Sequence, residues 1–313
     1  MIKKRHFYIV IGILLAGFIV GSFVDLNLNM AIYSDGNMFG KIMAAFGTYP
    51  CYAGLSFCAG GLLITSIKKK DLHIIWKLIS WALVALGYGL SVYLGSKDVP
   101  SVNGFDNPSL LIPTMAINVF IFGGFGAAGF FVCKKGDEST LWMGLMVMAI
   151  IFIMALIPTS YLIKLVIHRP RYRFVVNSGT VAFHNWWETC KDYKQYINGD
   201  LELYGHVITK EEFKSFPSGH SGSAAILMMT LPYLSMFFKK LKGKETMMFY
   251  IGFAWTLLMM FSRMLVGAHY LTDTCMGALI VIVVVYIGHE IATRNGFIYK
   301  DEYHPQPQEP VQE

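Results

Sequence analysis

The chain has 313 residues, of which 55% are hydrophobic and only 15% charged, and its mean hydropathy is +0.49. A soluble domain of that length needs far more polar surface, and the apolar residues come in long blocks, not in alternating or amphipathic patterns. The net charge of +6 is gathered in short basic segments between those blocks, which points to membrane orientation and away from nucleic acid.

A bilayer core takes roughly 20 apolar residues per helix. On that measure the predicted fold is all-α, a polytopic bundle of about eight transmembrane helices over 7–24, 49–66, 74–94, 111–133, 142–163, 220–238, 247–266 and 273–292. The first block follows Met-Ile-Lys-Lys-Arg and resembles a signal sequence, but its long apolar run has no small-residue cleavage site, so it reads as a retained anchor. Lys3, Lys4 and Arg5 precede the first span, and Lys68, Lys69 and Lys70 follow the second. Lys134 and Lys135 follow the fourth, and Lys239, Lys240, Lys242 and Lys244 follow the sixth. With eight spans every cluster falls on one side, and the positive-inside rule makes that side, with both termini, cytoplasmic. The early loops on the other side hold Asp25, Asp35, Lys41, Lys97, Asp98 and Asp106, with no basic cluster.

One outer loop is long, 164–219, and carries Trp186, Trp187, Tyr193, Tyr196 and Tyr204 among charged residues. Two placements suit it equally: over the lipid headgroups, where amphipathic aromatics gather, or free of the membrane. The tail from His304 is polar and proline-rich and is expected to be disordered. The expected division is an N-terminal transmembrane pair (1–70), a helical core that includes the outer loop (71–293) and a cytoplasmic tail (294–313). Cys51, Cys58, Cys133, Cys190 and Cys275 form no CxxC pair, so neither a structural disulfide nor a thiolate metal site is expected.

Three polar clusters stand at outer span boundaries, where anchoring needs only apolar sequence. They are Lys164-Leu-Val-Ile-His-Arg-Pro-Arg171, then Pro217-Ser-Gly-His220, then Ser262-Arg263 with His269 and Asp273. Lys164, Arg171 and Arg263 have no matching carboxylate trio, so sharing a pocket implies an anion between them. Arginine forks and a lysine point charge suit phosphate oxygens. Ser218 adds a hydroxyl, and Gly219 allows close approach to a helix start. If a helix begins near His269, Asp273 lies one turn on and can accept from one ring nitrogen, leaving the other nucleophilic. His220 then serves to protonate a departing oxygen and later to activate water. Three neighbouring cations argue against a metal in the same pocket, and no cofactor is expected.

The pattern resembles the type 2 phosphatidic acid phosphatase superfamily, which also contains vanadium haloperoxidases and glucose-6-phosphatase. Its motifs read Lys-x6-Arg-Pro, Pro-Ser-Gly-His and Ser-Arg-x5-His-x3-Asp; the second and third are intact here. The first departs from the pattern, because Tyr172 follows Arg171 where proline is usual, and an Arg169-Pro170 pair stands two places early. Arg169 is therefore a competitor of Arg171 for the phosphate. The resemblance implies a six-helix catalytic core, supplied by the third to eighth spans, with phosphate bound by Lys164, Arg171, Ser218, Gly219 and Arg263. It further implies His220 as the acid, His269 as the nucleophile that forms a phosphohistidine, and Asp273 as its partner. The expected activity is metal-independent hydrolysis of a membrane lipid phosphate: undecaprenyl diphosphate, phosphatidylglycerophosphate or phosphatidate. The alternative is a lipid-phosphate binding or transport protein using the same cations, although a carrier needs no nucleophile. The basic anchor, short loops and lack of organellar signals suggest a bacterial cytoplasmic membrane, with the site facing outward. Protein partners are not legible.

Overall fold

In the computed structural model the described residues are 2–99, 108–136, 138–157, 163–198, 202–203, 206–208 and 210–294. Asp106, Tyr204 and the tail from residue 295 lie outside them. Twelve α-helices follow in order among the described residues: α1 (Lys4–Ile32), α2 (Met38–Phe46), α3 (Tyr49–Lys68), α4 (Ile74–Lys97), α5 (Leu111–Cys133) and α6 (Glu138–Ile157). Then come α7 (Tyr172–Ser178), α8 (Tyr193–Asn198), α9 (Gly219–Ala225), α10 (Leu227–Tyr233), α11 (Glu245–Leu265) and α12 (Leu271–Arg294). A two-residue antiparallel pairing, Glu202–Leu203 with His206–Val207, lies in the long loop.

Six stretches are long and apolar enough to cross a membrane: α1, α2 with α3, α4, α5, α11 and α12. The chain is therefore a multi-pass helical membrane protein. Two expected spans are shorter or more broken than the sequence pattern implies. The apolar part of α6 is shorter, Leu141–Leu156. The expected span 220–238 is broken into α9, α10 and a 3-10 turn at Leu234–Met236, with Pro232, which cannot donate a helical hydrogen bond, in its second half. Gly252 of α11 faces the α9–α10 break so closely that a Cβ there would stand 2.7 Å from the Leu227 carbonyl carbon and the Met228 nitrogen.

Without a hydrophobic drive between helices in lipid, close backbone approach through small residues holds the bundle. Gly60 of α3 lies against the Gly126 carbonyl of α5, and Gly129 of α5 lies against the Phe57 carbonyl of α3. α1 runs along α12. Phe7 packs on the rings of Tyr286 and His289 at 5.3 Å each, Lys4 pairs with Glu290 at 2.7 Å, and Gly17 nestles under Cys275. The buried residues Phe7, Val10, Leu14, Gly21, Asp25 and Asn29 follow a helical period and form the face of α1 turned inward. Asp25 and Asn29 continue that face past the expected end of the first span, so α1 runs on to Ile32 instead of ending at 24.

The basic clusters collect at one end of the bundle, where Lys68 Nζ donates to the carbonyls of Lys134 and Gly136 at 3.2 Å each. The three motif clusters lie at the other end, roofed by the loop between α6 and α9. That loop has a small apolar core of its own, Phe174, Val181, Cys190, Ile208 and Phe213. It docks on α1 through Trp186, whose ring packs on Phe18 at 4.9 Å and whose indole N–H donates to Ser22 Oγ at 3.0 Å. Trp187 beside it is exposed. All five cysteines are buried free thiols.

Candidate active site

His269 stands in the turn between α11 and α12. Gly267 there has φ of +63°, a left-handed conformation that side-chain-bearing residues rarely adopt. The turn is fixed from both sides. The Arg263 carbonyl accepts from the N–H groups of Ala268 and His269, at 3.0 and 3.3 Å, and the Gly267 carbonyl accepts from Arg173 N–H at 2.9 Å. The His269 ring is buried, with Nδ1 2.6 Å from the Ser215 carbonyl oxygen. A carbonyl can only accept, so Nδ1 carries the proton and Nε2 keeps its lone pair. Burial pushes the imidazole well below its ordinary pKa of 6.5, against the pull of the Asp273 carboxylate, and keeps it neutral.

Asp273 therefore plays a different part from the one expected. Its Oδ2 is 3.8 Å from His269 Nδ1, beyond hydrogen-bond reach, because a backbone carbonyl has taken that ring proton. The carboxylate instead accepts from Ser215 Oγ at 2.5 Å, from Tyr270 N–H at 2.8 Å and from Arg169 Nη1 at 2.5 Å. The Asp273 carbonyl accepts from Ser218 N–H at 2.9 Å. Asp273 thus ties Ser215, the start of α12 and the Pro-Ser-Gly-His loop together around the histidine.

Arg169 is excluded as a phosphate ligand by its surroundings. It is completely buried, and its guanidinium donates to Asp273, to Asp25 Oδ2 at 2.9 Å, to Thr272 Oγ1 at 2.8 Å and to the His184 carbonyl at 2.8 Å. The Tyr270 ring lies 4.1 Å beneath it. Every edge of the fork is occupied. Arg171 is the other arginine of the first motif. It caps α7, and its Nε donates to the Glu211 carbonyl at 2.9 Å, with Glu211 Oε2 3.9 Å from Nη2.

Lys164, Arg171 and Arg263 are close enough for their charges to act on one another and on His269 and His220. Burial, then the charges of Arg171 and Lys97, lower Lys164 from 10.5 to about 7. Arg263 is buried, and its Nε and Nη1 find no hydrogen-bond partner among the described residues. Buried donors of that kind are rare, and an anion satisfies them. A buried carboxylate lies near these cations: Asp98, just past α4, also feels Lys97, Arg263, Lys164 and Arg171, and burial nonetheless raises its pKa.

Ser218 is the N-cap of α9; its Oγ accepts from Ser221 N–H at 3.3 Å and from Ser221 Oγ at 3.0 Å. Both contacts use its oxygen as acceptor, so its own proton remains available. Gly219 and His220 form the first turn, whose N–H groups have no intrahelical acceptor. His220 Nε2 lies 3.1 Å from the Ala44 carbonyl of α2 and 3.5 Å from Asp98 Oδ2, so Nε2 carries a proton. Among the described residues no group of three His, Cys, Asp or Glu side chains is arranged to hold a metal ion.

All eight sequence-predicted residues thus gather at one end of the bundle. Sequence reasoning missed Ser215, Asp25, Asp98 and Ala44. Ser215 and Ala44 contribute backbone carbonyls, which leave no mark in a sequence. Asp25 and Asp98 were visible only as outer-loop charges.

No curated protein and no solved structure matches the chain. A family model does, described as the PAP2 superfamily, over residues 139–297. The matched stretch is half of the chain, holds all three motifs, and begins only at α6. By that match the chain belongs to the PAP2 superfamily.

Proposed function

We propose that this protein is a membrane phosphatase that removes phosphate from a lipid phosphate or diphosphate through a phosphohistidine on His269. The observation that carries the proposal is the convergence of three cations, with unsatisfied Arg263 donors among them, on two histidines that are each held by a backbone carbonyl. Neutral His269 has Nε2 free for attack, and the His220 Nε2–H faces a carbonyl with the Asp98 carboxylate close by. Lys164, Arg171 and Arg263 hold the phosphate oxygens, joined by the Ser218 hydroxyl and the backbone at Gly219. They neutralise the charge that a metal would otherwise meet. His269 Nε2 attacks phosphorus as the bond to the leaving oxygen breaks. His220, with Nε2–H held by the Ala44 carbonyl and a second proton taken up on Nδ1 beside the bound phosphate, delivers that Nδ1 proton to the oxygen and becomes neutral. Water, losing its proton to His220, then attacks phosphorus, and phosphate leaves as the bond to His269 breaks. Asp273 and Arg169 hold the ring in place.

The positive-inside rule puts this end of the bundle outside the cytoplasm, in what is most simply a bacterial cytoplasmic membrane. A lipid in that leaflet keeps its chains in hydrocarbon while its phosphate enters the pocket. Soluble esters lack chain burial, worth about 0.8 kcal/mol per CH2, and turn over poorly. Among lipids, a prenyl diphosphate fits an outward site that recycles a carrier released there; phosphatidylglycerophosphate and phosphatidate present the same terminal group. The test is phosphate release by purified protein across those three lipids, with labelled phosphate trapped on His269. A protein that binds these lipids and releases no phosphate is a carrier, and the proposal then fails.

A further inference from the structure

The first helix lies outside the stretch that matches the family model, yet it reaches the catalytic end. Asp25 is buried, with 3% of its surface exposed, a position that a carboxylate occupies only when paired. Its Oδ2 accepts from Arg169 Nη2 at 2.9 Å and from the Thr272 hydroxyl, and its Oδ1 accepts from Thr272 N–H at 3.1 Å. One turn back, Gly21 lets α1 approach so closely that a Cβ there would meet the Thr272 backbone nitrogen at 3.1 Å. One turn on, Asn29 Nδ2 donates to the His269 carbonyl at 3.1 Å. The helix therefore presses a single polar edge, Asp25 and Asn29, against the segment 269–273 that carries the nucleophile.

We infer that Asp25 is a positioning residue of the reaction, holding Arg169 so that its other edge fixes Asp273 and, through it, the His269 turn. This rests on the phosphatase reading of the site. Arg169 stands between two carboxylates, one on each side of the fork. With Asp25 neutral, the guanidinium is free to shift toward Asp273, and Thr272 N–H loses its charged acceptor at the start of α12. The ring of His269 is then no longer held in line with phosphorus. Misalignment of that size costs turnover more than binding, because the phosphate ligands Lys164, Arg171 and Arg263 are not on α1.

The test compares full-length Asp25→Asn, Asp25→Glu and Arg169→Lys with wild type in detergent micelles. Ser22→Ala serves as control: it removes the Trp186 contact one turn away and leaves the Asp25 network intact. Asp25→Asn should lower kcat at least 30-fold with KM changed less than threefold, and Asp25→Glu should recover part of the loss. Ser22→Ala should keep kcat within twofold. Because Asp25 acts through Arg169, a double variant carrying Asp25→Asn and Arg169→Lys should lose no more than the worse single one. A monodisperse Asp25→Asn protein with kcat within twofold of wild type, or fully additive losses, overturns the inference while leaving the phosphatase reading intact. If Asp25→Asn is not monodisperse, Arg169→Lys and Asp25→Glu carry the same kcat-against-KM comparison, and a rise in KM alone in both overturns it. Wild-type protein that releases no phosphate overturns the parent reading and this one together.

Discussion

Lys164 supplies a pH signature that can be worked through in advance. Its pKa is brought from 10.5 down to about 7 by burial and by the cations beside it. In the free protein it is then about half charged at pH 7, about one-tenth at pH 8 and about one-hundredth at pH 9. Substrate phosphate has a second pKa near 6, so it is already a dianion over this range and does not confuse the reading. If charged Lys164 is needed to capture phosphate, kcat/KM, which reports the free enzyme, falls about tenfold per pH unit above 7. A bound dianion favours the charged lysine, so the basic limb of kcat lies at higher pH than that of kcat/KM. Below pH 7 the acid limb falls under 6.5, because burial holds His269 neutral there. Lys164→Arg keeps its charge throughout, so its kcat/KM should stay level to about pH 9, at a lower plateau because a planar fork replaces a point charge. The assay is phosphate release from micellar lipid at constant ionic strength. A wild-type kcat/KM that is flat from pH 7 to 9, or an unmoved limb in Lys164→Arg, would refute the reasoning.

Four further outcomes follow from the same geometry. His269→Ala should reduce turnover to background while the protein remains folded, and retained activity would exclude the phosphohistidine. Gly277→Ala should lower kcat more than tenfold, because the new methyl collides with the Ser218 carbonyl; unchanged kinetics would mean that the Pro-Ser-Gly-His loop is free to move. Activity should persist in excess chelator and be blocked by orthovanadate, whereas loss in chelator with rescue by magnesium would put a metal in the reaction. A cysteine replacing exposed Lys191 should react with an impermeant maleimide in intact cells and one at exposed Lys242 should not, the reverse pattern inverting the topology.

The sequence carried the helical membrane class and the polar residues that gather at one end of the bundle because both leave local marks: apolar run length, and charged side chains where anchoring needs none. What it could not carry was the division of labour inside the cluster. The Lys-x6-Arg spacing left Arg169 and Arg171 as rivals, and only the burial of Arg169 between two carboxylates separates them. The His269–Asp273 spacing of one helical turn suggested a direct contact, whereas the ring proton goes to a carbonyl 54 residues earlier in the chain. Asp25 and Asp98 are paired with groups far away in sequence, so nothing in their neighbours distinguished them from ordinary loop charges. The break in the sixth expected span was hidden for a related reason: it depends on α11 leaning on the backbone at Leu227, and hydropathy does not register that.

The pairing of α1 with α12 also bears on how the protein comes into being. The chain emerges from its N-terminal end, so α1 enters the bilayer with the polar edge at Asp25 and Asn29 lacking every partner described above. Those partners, Arg169, Thr272 and the His269 carbonyl, arrive only with later segments, Thr272 with the last of the described helices. Until then a carboxylate at the membrane boundary must stay hydrated or protonated, which favours a shallow or tilted first helix during synthesis. Closure of α12 onto α1 then settles the depth of the first helix and brings Asp25, Arg169 and Asp273 together beside His269 in a single event.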